Sequence, residues 1–143
     1  MTIFATEADF ADLAGRVLAT SLPHEAWTHE AHFALALWAL RYMPEKADPE
    51  CFRSIIIGLN EAHGTANTDS SGYHHTITVA SLRATAACLA ERPETPLSTV
   101  LSLMMAGKFG RSDWILAHWS RERLFSVAAR RGWIEPDLAD LPF

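Results

Sequence analysis

Apolar residues recur at spacings of three and four along almost the whole chain, and strict alternation never persists, so the pattern predicts helices throughout. Phe10, Leu13, Ala14, Val17 and Leu18 form the first stripe, opened by Thr6 and Asp9 in the arrangement of a capping box and ending before Pro23. Thr28 stands as N-cap of a second helix that carries His29, Glu30 and His32 in its first turn and runs through Trp38 to about Tyr42, before Pro44. Asp48-Pro49 supplies a cap and an N1 proline for a third, with Phe52, Ile55, Ile56 and Leu59 as its apolar stripe and Gly64 as its stop. The small polar residues 65–71 read as an ordered loop. A fourth helix is expected from about Tyr73 to Glu91, and a fifth is opened by Thr95-Pro96 and closed by Gly107. A sixth is expected from Ser112-Asp113 through Trp114 and Ile115 to Trp119. Ser120 and Ser126 read as caps of two short turns, and residues 136–142 as an extended tail. The expected fold is all-α, a compact bundle of about six helices with an extended C-terminal tail.

Bulk properties narrow the setting. With 143 residues the chain is expected to be a single domain, 1–143, with one core, and 49% hydrophobic against 20% charged residues excludes a disordered chain. A net charge of -5 gives no general attraction to nucleic acid or to an anionic membrane, so neither is an expected partner. Six of the twelve Lys and Arg residues fall late, at Lys108, Arg111, Arg121, Arg123, Arg130 and Arg131, and read as a solvated basic face, with an anion-binding wall as the alternative. Cys51 and Cys88 form no metal or redox pair and read as buried thiols. The first ten residues lack a basic segment followed by an apolar one, and the apolar run Phe33 to Leu40 is too short to cross a bilayer. A reducing, cytoplasmic location is the expectation, and the oligomeric state is left open.

The chemistry concentrates in histidine. Five of the seven lie in two segments, Trp27-Thr28-His29-Glu30-Ala31-His32 and His63 to His75. Imidazole is both the commonest metal ligand and the side chain that titrates nearest neutrality. Residues three apart share a helix face, so His29 and His32 can aim at one point, and His74 at the start of the fourth helix is the third candidate. Three imidazoles with an open position would suit zinc, nickel or iron. Asn60, Glu61, Asn67, Asp69 and Thr78 are available to hold the second ring N–H of each. A metal-free polar pocket and purely structural histidines are the alternatives. His63 continues the buried stripe of the third helix at its last turn, where the helix dipole favours an imidazolium and a core-facing ring needs a partner. His24, His75 and His118 read as incidental. Tyr73 and Glu30 are the candidate proton-handling groups, and His63, Asn67 and Thr78 the candidate ligand contacts. The five tryptophans read chiefly as core and rim.

The series Trp27-Thr28-His29-x-x-His32, Asn60-x-x-His63-Gly64, Gly72-Tyr73-His74-x-Thr76-Ile77-Thr78, Ser120-Arg121-x-Arg123-Leu124 and Glu135-Pro136-Asp137-Leu138 resembles a family of small bacterial hypothetical proteins, from Trp27 to Pro142. The Gly-Tyr-His-x-Thr-x-Thr block is its most specific element. The resemblance implies that His29, His32, His63 and His74 belong together with Tyr73, Thr76, Thr78, Arg123 and Asp137, which adds Arg123 to the candidate ligand contacts, and it supplies no substrate. In such relatives the position of His75 is commonly an acid. Two functions follow as expectations: an enzyme acting on a small molecule, with a divalent metal on His29, His32 and His74, or a non-catalytic module that binds a small ligand or a partner helix in the same cleft.

Overall fold

A computed structural model describes residues 3–143 as a helical bundle, with no strand among the described residues. Seven α-helices are described: α1 Glu7–Leu18, α2 His29–Tyr42, α3 Pro49–Ala62, α4 His75–Glu91, α5 Leu97–Ala106, α6 Arg121–Leu124 and α7 Val127–Arg131. The caps read from the sequence account for most boundaries. Thr28 Oγ1 accepts from the Ala31 N–H at 3.1 Å, and the Asp48 carboxylate accepts from the N–H groups of Glu50 and Cys51. Asp9 accepts from the backbone of Ala5 and Thr6, which holds its carboxyl below the usual range.

Helix α2 is the centre of the bundle. It is buried nearly all round, through Ala31, Phe33, Ala34, Leu35, Ala36, Leu37 and Ala39, and α1, α4 and α5 pack around it. A helix apolar on every face has no stable position except an interior one. Helix α3 buries Phe52, Ile56 and Leu59 and leaves Ile55 half-buried, so the helical phase expected for that stripe holds.

Three boundaries or burials differ from expectation. Helix α4 begins at His75 rather than Tyr73, because the His74 ring is itself the N-cap: its Nδ1 accepts from the Ile77 N–H at 3.2 Å. The sixth helix shrinks to a 3-10 turn, Trp114–Ala117. Asp113 spends its carboxylate on Arg111 instead of capping, and the His118 carbonyl receives the Leu138 N–H of the returning tail instead of continuing a helix. Both cysteines are half-buried free thiols rather than fully buried ones.

Ser120 and Ser126 cap α6 and α7 as read, accepting from Arg123 N and Ala129 N. The C-terminal segment then folds back along the bundle. Asp137 accepts from both the N–H and the hydroxyl of Ser120, Trp119 Nε1 donates to the Ile134 carbonyl, and Thr76 on α4 bridges Gly132 and Ile134. No helix among the described residues is long and apolar enough to cross a membrane.

Candidate functional site

The loop between α3 and α4 is built to hold the start of α4 against α2. Gly72 has φ +78°, and a Cβ there would stand 2.4 Å from the Ala66 carbonyl oxygen and 2.7 Å from Asn67 Oδ1. That close approach lets Asn67 Oδ1 accept from Asn60 Nδ2 and from the Tyr73 N–H, each at 3.0 Å. Arg130 on α7 donates to the carbonyls of Gly72 and Tyr73 from the other side. The chain is thereby fixed where Tyr73 and His74 turn into the bundle.

Between this corner, α2 and α3 lies a cavity of about 340 Å³. Trp27, Ile56 and Ile77 form its apolar wall. Asn60, Thr65, Tyr73, His74 and Thr78 are polar residues of its lining, and His24, His32 and Gly72 complete it. No Asp, Glu, Lys or Arg side chain lines it. A narrower apolar recess of about 60 Å³, formed by Ala36, Phe52 and Leu82 among others, shares Trp27, His32, Ile56, Ile77 and Thr78 with it. A separate depression of about 220 Å³ between α4 and α5 is lined by Val100, Leu103, Met104 and Phe109, with Cys88, Glu91, Arg92 and Lys108 among its other lining residues, and contains no imidazole or hydroxyl; the sequence candidates gather at the first cavity instead.

His32 is the distinctive group. Its ring stacks on Trp27 with centroids 3.7 Å apart, and its Nδ1 lies 2.7 Å from the Thr28 carbonyl. A carbonyl only accepts, so Nδ1 carries the proton and Nε2 presents a lone pair. Nε2 makes no hydrogen bond among the described residues. His32 is an exposed residue, with its ring packed on Trp27 and facing the cavity and its apolar recess. That partial enclosure disfavours the imidazolium and holds the pKa down, toward about 4, with the Thr28 carbonyl pulling the other way.

His74, His29 and His63 are each tied to a backbone carbonyl. His74 donates from Nε2 to the Leu124 carbonyl at 2.6 Å while Nδ1 caps α4, so neither nitrogen is left for a ligand. Burial, reinforced by the Arg130 charge, lowers its pKa. His29 points elsewhere: its Nε2 donates to the Phe109 carbonyl at 2.6 Å, and the residue does not line the cavity. His63 donates from Nε2 to the Leu22 carbonyl at 2.7 Å, while its buried Nδ1 has no partner among the described residues. The set His29, His32 and His74 is therefore not brought to one point, and among the described residues no group of three or more His, Cys, Asp or Glu could hold a metal ion. The residues present do not fit a zinc, nickel or iron centre of that composition.

The remaining candidates divide. Tyr73 and Thr78 line the cavity, whereas Asn67 organises the loop behind it. Glu30 is half-buried on α2 and does not reach the lining. Arg123 lies in the C-terminal clamp, where its Nε donates to the Glu135 carbonyl at 2.6 Å. Thr76 and Asp137 likewise tie the tail down. Trp27, expected chiefly as core or rim with a pocket wall as the alternative, is a cavity wall, and His75, expected to be incidental, is not. His75 is buried, with Nδ1 2.7 Å from the Tyr73 hydroxyl and Nε2 3.6 Å from Glu50 Oε1. Adjacency to His74 and Tyr73 was the signal the sequence offered; Glu50 is too distant along the chain for spacing to reveal the contact.

No protein-family model matches the chain, and neither a curated protein nor a solved structure matches it.

Proposed function

We propose that the protein is a small-ligand-binding helical module, with the cavity between α2, α3 and the start of α4 as its site and a small, uncharged organic molecule as its ligand. One observation carries this reading: His32 offers an unpartnered Nε2 lone pair at a largely apolar cavity while Thr28 fixes its tautomer and Trp27 its ring plane. A neutral imidazole held this way is a hydrogen-bond acceptor. Thr78 and Tyr73 are hydroxyl-bearing residues of the lining, and with no charged side chain among its lining residues the cavity favours a ligand that enters it neutral, since a buried unpaired charge is costly. The reading is of a metal-free site in a reducing, cytoplasmic setting.

Phenol and indole, each an apolar ring with one hydrogen-bond donor, are suitable probes. Both should shift the ring-nitrogen resonances of His32 and the indole signal of Trp27 in heteronuclear NMR spectra. His32→Ala should weaken binding by roughly tenfold, the value of one ordinary buried hydrogen bond. Ile56→Trp should fill the cavity and abolish it. Binding of either probe that is unaffected by both substitutions would refute the assignment.

A further inference from the structure

One set of titratable groups runs in series from the cavity toward solvent. The Tyr73 hydroxyl stands 2.7 Å from His75 Nδ1, and His75 Nε2 stands 3.6 Å from Glu50 Oε1. Exposure rises along the series, from 6% for Tyr73 and 7% for the His75 side chain to 70% for the Glu50 side chain. At the inner end, Tyr73 lines the cavity beside Thr78, whose side chain interacts with the phenol. At the outer end, Arg53 donates to Glu50 at 3.0 Å and lies 5.5 Å from the centre of the Tyr73 ring. Glu50 and Arg53, both on α3, are the charged groups acting on phenol and imidazole alike.

The partners define the proton positions. Glu50 Oε1, at 3.6 Å, is beyond hydrogen-bond distance of His75 Nε2, but its negative charge favours the tautomer with the proton on Nε2, which leaves Nδ1 to accept from the Tyr73 hydroxyl. The lone pairs of the phenol oxygen then remain available to a hydrogen from the cavity. Burial raises the pKa of Tyr73 and lowers that of His75, so both are neutral near pH 7, as an O–H···N bond between them requires.

We propose that Tyr73, His75 and Glu50 form a proton relay, from hydroxyl to imidazole to carboxylate, through which a small molecule carrying an acidic O–H group of the phenol or enol class gives up that proton in the cavity. The proposal rests on the ligand-binding reading above, with the single O–H of such a ligand directed to Tyr73 instead of His32, whose ring then borders the bound molecule. In the step, the ligand O–H bond breaks and its electron pair stays on the ligand oxygen. The Tyr73 oxygen takes that proton as its own passes to His75 Nδ1, and the resulting imidazolium faces the Glu50 carboxylate. No oxidant or reductant is involved. Tyr73 alone touches the ligand; His75 and Glu50 are positioning residues that act through it.

The test uses the full chain carrying Tyr42→Phe, which leaves Tyr73 as the sole tyrosine of the two present. Without ligand, ring-nitrogen NMR near neutral pH should find His75 protonated on Nε2 and unprotonated on Nδ1. A proton on Nδ1 would overturn the relay. With 4-nitrophenol as probe, the His32 ring signals report binding and nitrophenolate absorbance reports ionisation. The bound phenolate-to-phenol ratio should fall roughly tenfold, one pKa unit, in His75→Phe, and partially in the surface variant Glu50→Gln. A bound probe with the same ionised fraction in all three proteins overturns the relay while the binding site stands. A probe that leaves His32 undisturbed counts against the binding site instead, and the His75 tautomer then decides the relay.

Discussion

Gly72 and Gly64 offer a matched pair of perturbations at the two ends of the site-building loop. Both have positive φ, +78° and +74°, so alanine at either place pays the left-handed penalty of roughly 1–2 kcal/mol, less about 0.4–1 kcal/mol from the smaller entropy of the unfolded chain. At Gly64 nothing lies within 4 Å of the added Cβ, and Gly64→Ala should cost about 1 kcal/mol. At Gly72 the added Cβ would stand 2.4 Å from the Ala66 carbonyl oxygen and 2.8 Å from Asn67 Cα, both backbone atoms, so the loop must move. Moving Asn67 forfeits its bonds to Asn60 and to the Tyr73 N–H, each about 0.5–1.5 kcal/mol, which brings Gly72→Ala to about 2–4 kcal/mol. Urea denaturation of both variants beside the parent reads the difference, and a melting shift of roughly 2–4 °C per kcal/mol provides the check. Because the same movement displaces Tyr73, only Gly72→Ala should also perturb the His75 and Tyr73 NMR signals. Equal destabilisation by the two alanines would refute the claim that close backbone approach, rather than φ alone, dictates Gly72.

Three other outcomes are expected. Ile56→Ala, removing a core side chain of α3 that also walls the cavity, should cost about 2–5 kcal/mol in chemical denaturation, toward the low end if the cavity relaxes into the gap. Thr76→Val strands the Gly132 carbonyl and the Ile134 N–H, so it should cost about 1–3 kcal/mol while leaving probe binding in the cavity unchanged by NMR titration. His32, His74 and His75 all have pKa values depressed below 6.5 in the fold, so the unfolded chain binds more protons as the solution is acidified. Their stabilising contribution is complete above about pH 6.5 and is lost on acidification, for His32 as pH falls toward about 4, and His32→Asn should flatten urea stability across that window.

Much of the fold was legible because it rests on local rules. Thr28, Asp48, Ser120 and Ser126 cap helices where their short polar side chains stand before apolar periodicity, and Pro49, Gly64 and Gly107 mark ends through their own backbone limits. The all-helical architecture follows from the same period, as does the burial of Ile56 and Leu59. The segment around Trp114 escaped this logic because its outcome is set by the tail: the His118 carbonyl is taken by Leu138, a partner no window of local sequence contains.

The candidate site shows the same division more sharply. Spacing placed Tyr73 and Thr78 near one helix start, and His29 with His32 on one first turn, since helix geometry fixes relative direction within an element. Whether an imidazole then meets a ligand or a backbone carbonyl depends on what another element puts opposite it. Phe109 claims His29, Leu22 claims His63, and Leu124 with Ile77 claims both nitrogens of His74. Of the candidate ligands His29, His32 and His74, His32, whose partner Thr28 is local, is the one that brings a free nitrogen to the cavity. The sequence by itself determined which residues could carry chemistry and on which helix face they stand. The tertiary structure alone decided which of them remain available, because a buried backbone carbonyl needs a donor and takes the nearest imidazole N–H that packing brings to it.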